Sequence, residues 1–110
     1  MRKLLLGGAM ALGLSTGGAM AAALGMNEAV LADGTDMDTC KQMGVAAIAK
    51  AGLKPAGSSP ASVFGEGADG LIAAVYCLPD RGIAMIGVAG DSSKATRPVL
   101  AALLAAMNAK

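Results

Sequence analysis

The sequence lacks histidine and tryptophan altogether, and its only aromatic residues are Phe64 and Tyr76. Without histidine, the chain has no residue of the type that most often serves as general base, metal ligand or pH switch. Two aromatic side chains are too few for a surface that stacks nucleic-acid bases or binds sugars. The sequence therefore argues against catalysis that depends on histidine and against binding by aromatic stacking.

Charge is scarce as well, since 15% of the 110 residues are charged, against about 25% in typical soluble domains. The formal net charge is +1, so no strongly basic surface is available to attract nucleic acid. At the same time, 55% of the residues are hydrophobic, which indicates a folded chain and not a disordered one. The length allows one domain.

The remaining polar clusters are typical of turns and helix caps. Asp33, Asp36 and Asp38 supply oxygen atoms but lack the glycine and glutamate positions of a calcium-binding loop. The segment 90–96 carries glycine, serine and lysine without the spacing of a phosphate-binding loop. No histidine is present to activate a serine. We therefore predict a protein that is not an enzyme and has no catalytic residue, no metal site and no cofactor.

The first residues have the composition of a secretory signal. Met1-Arg2-Lys3 is basic, and an apolar run follows from Leu4 to Leu14. Two sites of the small-x-small type come next, Ala19-Met20-Ala21 and Val30-Leu31-Ala32. The polar residues before Ala32 and the change of composition after it favour cleavage there. The sequence thus predicts a signal peptide over residues 1–32 and a small domain over residues 33–110, with cleavage after Ala21 as the alternative.

A membrane anchor is a second interpretation of the same segment. No charged residue lies between Leu4 and Met26, and about 20 residues suffice to span a bilayer. The glycines of this run make it a poor permanent span. The basic residues at the start keep that end in the cytoplasm in both interpretations, so the rest of the chain is exported. We expect a periplasmic or secreted protein, with an N-terminally membrane-anchored periplasmic domain as the alternative.

Two cysteines, Cys40 and Cys77, lie in the predicted domain. In an exported protein such a pair forms a disulfide by default, and the wide spacing matches neither a redox-active pair nor a zinc site. A bridge across this loop stabilises the folded state by about 4 kcal/mol in the chain-entropy treatment. A domain this small is close to the lower size limit for one hydrophobic core, so we expect the bridge to contribute much of its stability.

The apolar spacing predicts an α+β fold with the element order α-β-β-β-α. A helix is expected over about 39–51, capped by Thr39 and Gln42, and a second one ends near residue 108. Three short strands over about 62–64, 71–78 and 83–89 would form an antiparallel meander, flanked by the helices and tied to them by the disulfide. Residues 54–60 have the composition of a loop. Pro98 is acceptable in the first turn of a helix, so the last helix is expected to begin near residues 95–97.

The central strand is apolar on both faces. If Cys77 points to the helices, the opposite face carries Ile72, Ala74, Tyr76 and Leu78. An antiparallel sheet that is covered on one side alternates between apolar and polar residues, and this strand does not. We therefore predict that these four residues form an interaction face for a second copy or a protein partner. The alternatives are a small apolar ligand, which would make the protein a periplasmic carrier, or one helix on each face of the sheet.

Short motifs along the domain resemble those of small exported bacterial proteins of unknown function. They are the cysteine in the first helix, Val63-Phe64-Gly65, Ala74 to Pro79 (A-V-Y-C-L-P), and Val88-Ala89-Gly90-Asp91 before the last helix. The resemblance covers about residues 38–108. It implies a periplasmic α+β domain and carries no catalytic residue. Together with the composition, it favours an exported binding protein over an enzyme.

Overall fold

Two helices lie side by side on one face of an antiparallel sheet in the computed structural model, which describes residues 22–109. Within that range the chain forms five strands, in the spatial order β1-β5-β4-β3-β2 with every neighbouring pair antiparallel. The elements are β1 (Ala23–Val30), α1 (Met37–Lys50), β2 (Lys54–Ser59), β3 (Ser62–Glu66), β4 (Ile72–Leu78), β5 (Ile83–Gly90) and α2 (Ser93–Met107).

Both helices cover the same face because small residues let them approach the strands. Gly25, Val88, Ala73 and Gly65 form one row across β1, β5, β4 and β3. A Cβ on Gly65 would lie 2.6 Å from Cγ2 of Ile48 in α1. At the other end of the row, a Cβ on Gly25 would lie 3.0 Å from a methyl group of Leu100 in α2. The interpretation with one helix on each face is therefore wrong.

The hydrophobic core lies between the sheet and the helices. Alternate residues of the two central strands point into it, as the alternation of side chains along a strand requires. Helix residues fill the space above them, and each of these side chains is at most 1% exposed. The central members of the core are Ala73, Val75 and Cys77 of β4, Ala84, Ile86 and Val88 of β5, Ile48 of α1, and Leu103 and Met107 of α2.

The predicted disulfide between Cys40 and Cys77 is present. Cys40 lies in the first turn of α1, and Cys77 lies near the end of β4, the middle strand of the sheet. Both residues are buried. The bridge therefore links the helical layer to the centre of the sheet, and the described residues contain no free cysteine.

Both helices begin earlier than the sequence predicts. Asp36 caps α1, because its carboxylate accepts a hydrogen bond from the backbone N–H of Thr39 at 2.8 Å. The same bond lowers the pKa of Asp36. The predicted cap by Thr39 and Gln42 is wrong: the Asx cap at Asp36 satisfies the free N–H groups one turn sooner.

The last helix shows a similar difference. Ser92 caps α2 by accepting a hydrogen bond from the N–H of Ala95, and Pro98 stands inside the helix, beyond its first turn. The missing proline N–H would have bonded the carbonyl of Lys94. Lys94 and Pro98 are both exposed, so water can solvate that carbonyl and the helix tolerates the proline.

The α+β class and the antiparallel meander of β3, β4 and β5 are confirmed, but the sheet has five strands and not three. The predicted loop over 54–60 is wrong, because Lys54–Ser59 forms an edge strand despite Pro55 and Gly57. The second strand that was not predicted, β1, lies within the predicted signal peptide, residues 1–32. The basic start, the apolar run over 4–14 and the motif that ends at Ala21 lie outside the described residues.

Candidate interaction face

The face of the sheet opposite the helices carries most of the exposed large apolar side chains. Six such side chains are exposed among the described residues, and five of them lie on this face. They are Leu24 (68% exposed), Met26 (58%), Val30 (55%), Ile72 (51%) and Tyr76 (47%). We call this surface the outer face; besides these five it contains Phe64, Ala74, Leu78, Ile83, Met85, Gly87 and Ala89.

Strand register joins these side chains into one patch. Met85 of β5 pairs with Tyr76 of β4, and Ala89 pairs with both Ile72 and Leu24. At the end of the sheet, Ile83 pairs with Leu78 on one side and with Val30 on the other. Directly paired residues lie about 5 Å apart, so the apolar surface runs from β1 to β4 in the rows of Ala89, Gly87 and Ile83, and only the row of Met85 ends in a charged residue, Glu28 of β1.

A shallow furrow crosses the middle of the outer face. Ala74 pairs with Gly87 and with Phe64, and Gly87 pairs with Met26. A Cβ on Gly87 would lie 3.7 Å from Cγ of Met26, in ordinary van der Waals contact, so the side chain of Met26 borders the furrow on the β1 side. The rows on either side carry larger side chains, Tyr76 with Met85 and Ile72 with Leu24. The outer face is therefore a furrow lined by small residues between two apolar ridges.

Charged residues of this face lie at its margins. Lys54 pairs with Glu66, so opposite charges face each other near the β2 edge. Glu28 stands in β1, at the opposite edge of the sheet, and pairs with Met85. The centre carries no charged side chain. An apolar centre with a polar rim is the usual arrangement of a protein–protein interface.

The structure brings the four predicted residues of β4 together on this face. Ile72 and Tyr76 are exposed, whereas Ala74 and Leu78 are half-buried. Sequence reasoning missed the contribution of Leu24, Met26 and Val30, because it assigned them to the signal peptide. Their spacing by two and four residues was the available signal, since it places all three on one face of a strand.

Other candidate sites have structural roles or remain open grooves. Asp36 and Ser92 cap helices, and no group of three or more potential metal ligands occurs among residues 22–109. A groove of about 680 Å³ lies beside Tyr76, Pro79 and Arg81. A second one, of about 380 Å³, lies between Leu53 and Val99. Both open to solvent at the surface of the domain.

Two further observations concern the disulfide and the lengths of the helices. The disulfide is compatible with export, because such bonds persist in oxidising compartments. None of the helices in the described part of the chain is long and apolar enough to cross a membrane.

These features define a disulfide-linked α+β domain with helices on one side of its sheet and an apolar face on the other. Comparison with protein-family models, with curated proteins and with solved structures finds no match for the chain. The observations that bear on function are thus the outer face and the disulfide.

Proposed function

We propose that the protein is an exported, non-enzymatic interaction module that self-associates by packing the outer face of one copy against the outer face of another. The observation that carries this proposal is the contrast between the two sides of the sheet. Among residues 22–109, both helices lie on the inner side, and the outer side is apolar and exposed. Contiguous exposed apolar patches of this kind mark interaction sites.

The size of the outer face supports a second copy as its occupant. Strands lie about 4.8 Å apart and rise about 3.3 Å per residue. Five strands of about seven residues therefore present a footprint of roughly 500 Å². Two such faces remove about 1,000 Å² from water when they pack together, which reaches the minimum area expected of a biological interface.

The shape of the outer face is self-complementary. Around a two-fold axis that runs along the rows, midway between the furrow and the ridge of Tyr76 and Met85, this ridge from one copy lies over Ala74 and Gly87 of the other. The same contact then occurs twice, as a two-fold interface requires. Two sheets packed in this way lie about 10 Å apart, with side chains of both faces filling the gap.

The distribution of charged residues is compatible with packing of the two outer faces. The centre of the outer face carries no charged side chain, so no unpaired charge is buried at the contact. Glu28 and the Lys54–Glu66 pair stay at the rim, where solvent reaches them. Loss of Arg2 and Lys3 with the leader changes the formal net charge from +1 to −1 when Glu28 is kept, so two copies repel each other only weakly.

Export is the second part of the proposal. The basic start, the apolar run and the small-x-small motifs support secretion, and the Cys40–Cys77 disulfide supports an oxidising compartment. We place the mature protein in the periplasm or outside the cell. The absence of histidine from the sequence supports a binding role over catalysis.

The test is the oligomeric state of the protein after export from the full-length chain, measured by native mass spectrometry and sedimentation equilibrium. The wild type is expected to be a dimer. Tyr76→Lys and Ile72→Lys place a charge inside the contact and are expected to raise the dimer Kd at least about 100-fold. Val45→Lys is the matched control, because Val45 is an exposed apolar residue of α1, and this variant is expected to remain dimeric.

A wild-type monomer would contradict self-association. If that monomer retained residues 1–21, the leader segment would replace the second copy as the candidate for covering the outer face. If the monomer retained the mass of a small molecule, the alternative of a periplasmic carrier would replace self-association. Dimers that persist in both Tyr76→Lys and Ile72→Lys would show that copies associate through another surface.

A further inference from the structure

The first strand is an integral part of the fold although it lies within the predicted leader. All eight residues of β1 pair with β5, from Ala23 opposite Gly90 to Val30 opposite Ile83. Ala29 is fully buried, and Leu31, just after the strand, is 4% exposed. Both belong to the same hydrophobic core as the helices. Removal of this strand would open that core along one side.

The end of β1 is also tied to two other parts of the chain. The N–H of Val30 donates to the side-chain oxygen of Asn108 at 2.8 Å, and the carbonyl of Val30 accepts from the N–H of Ala109 at 2.7 Å. The N–H of Leu31 donates to the carbonyl of Gly82 at 2.8 Å. These bonds join β1 to the segment after α2 and to the turn before β5.

From these contacts we infer that a signal peptidase cleaves the chain after Ala21, so that the mature protein begins at Ala22 and keeps β1. The enzyme would hydrolyse the peptide bond between these two alanines. Water supplies the hydroxyl that completes the carboxylate of Ala21 and the proton that completes the new amino group of Ala22. This inference rests on the export part of the proposed function and is independent of self-association.

The sequence around the two candidate sites agrees with this choice. Cleavage after Ala21 uses the motif Ala19-Met20-Ala21 and gives a leader of 21 residues, within the usual range of about 15–30. Cleavage after Ala32 gives a leader beyond that range. Ala22 is exposed and precedes the first strand residue, so a new terminus at Ala22 leaves every hydrogen bond of β1 in place.

The position of cleavage also determines which residues of the outer face remain in the exported protein. Leu24, Met26 and Val30 are three of its five exposed large apolar side chains. Cleavage after Ala32 would remove all three together with the buried Ala29. Cleavage after Ala21 delivers the complete outer face to the exported protein.

The test is the intact mass and N-terminal sequence of the protein exported from the full-length gene product. The expected product spans residues 22–110 and lacks two hydrogens because of the disulfide. Ala21→Leu removes the small residue that the peptidase requires and is expected to make the precursor accumulate at least 10-fold. Ala32→Leu is the matched control, since Ala32 is exposed, and it is expected to be processed like the wild type.

A product that begins at Asp33, or accumulation of precursor in Ala32→Leu but not in Ala21→Leu, would overturn the inference while leaving export intact. A protein that stays in the cytoplasm with Met1 attached would overturn export itself. The two failures are therefore distinguishable in the same mass spectra and fractions.

Discussion

The two faces of β4 differ strongly in solvent exposure, although the side chains of both faces are apolar. On the inner face, Val75 and Cys77 are at most 1% exposed, whereas on the outer face Ile72 and Tyr76 are about half exposed. Both rows are apolar. Burial by the helices explains the inner row. The outer row has no such cover among the described residues. The inner face therefore stabilises the fold, and the outer face is the one that we propose binds a second copy.

The faces also differ in the sizes of their side chains. Ala73, Ala84 and the glycines at 25 and 65 keep the inner surface low, which allows the helices to lie close to the strands. Tyr76 with Met85, and Ile72 with Leu24, form ridges on the outer surface. The inner face is thus shaped for helices of the same chain, and the outer face is shaped for a ridged surface such as its own copy.

A charge placed on each face in turn is expected to have the largest effect. Val75→Asp buries a carboxylate at a fully buried position and is expected to destabilise the fold by about 4 kcal/mol or more. Tyr76→Asp, at the next residue, faces solvent in a single copy and is expected to change stability by about 1 kcal/mol or less. Thermal unfolding followed by circular dichroism, at concentrations where the Tyr76→Asp protein is monomeric, measures both.

Equal loss of stability in the two variants would contradict the assignment of the faces. Loss of folding in Tyr76→Asp alone would reverse it.

Replacement of a glycine by alanine on each face is a smaller change that also distinguishes the two faces. Gly65→Ala brings a Cβ to 2.6 Å from Cγ2 of Ile48 and is expected to cost about 1–3 kcal/mol through overpacking. Gly87→Ala is the matched control on the outer face, because its Cβ meets no atom closer than 3.7 Å. Denaturant unfolding of both variants gives the difference, at concentrations where both proteins are monomeric, because Gly87 lies in the proposed contact between copies. If Gly65→Ala were as stable as Gly87→Ala, α1 would not lie as close to β3 as the structure shows.

Periodicity identified the elements that carry a strong apolar pattern. The strands around Val75 and Ile86 are continuous apolar runs separated by the turn residues 79–82 and could be recognised, and Cys40 with Cys77 could be paired because they are the only cysteines of the chain. The four candidate residues of β4 could be assigned to one face because side chains alternate between the two faces of a strand. The role of that face in binding stays a prediction.

The remaining elements depend on tertiary contacts that no local pattern records. Pro55 and Gly57 are typical of a loop, yet β2 forms because β3 offers an edge on which to pair. Leu24 and Met26 continue the uncharged run of the leader, so composition alone places β1 with the signal. Val30 is bonded to residues near the far end of the chain, and a contact of that sequence separation has no local signature.

The smallest predicted effect concerns the cap of α1, which lies outside both faces. The hydrogen bond from the Thr39 N–H lowers the pKa of Asp36 in the folded state. A carboxyl group with a lowered pKa stabilises the folded state above its unfolded pKa and loses that contribution as the pH falls through the folded value. We expect Asp36→Asn, which keeps the cap but does not titrate, to show a slightly smaller loss of stability than the wild type below about pH 4.

Thermal unfolding of the two proteins between neutral and acidic pH measures this difference. Identical pH profiles would show that the cap does not favour the ionised carboxylate. A larger acid sensitivity of Asp36→Asn would reverse the predicted sign.

The most direct test of self-association through the outer face is the rate of methionine oxidation by dilute hydrogen peroxide, measured by peptide mass spectrometry at several protein concentrations. Met26 lies on the outer face, whereas Met43 lies on α1 and serves as the internal control. We predict that Met26 oxidises more slowly as the wild-type concentration rises, that Met43 does not change, and that Tyr76→Lys abolishes the protection. Oxidation of Met26 at one fast rate at every concentration would contradict the proposal that a second copy covers this face.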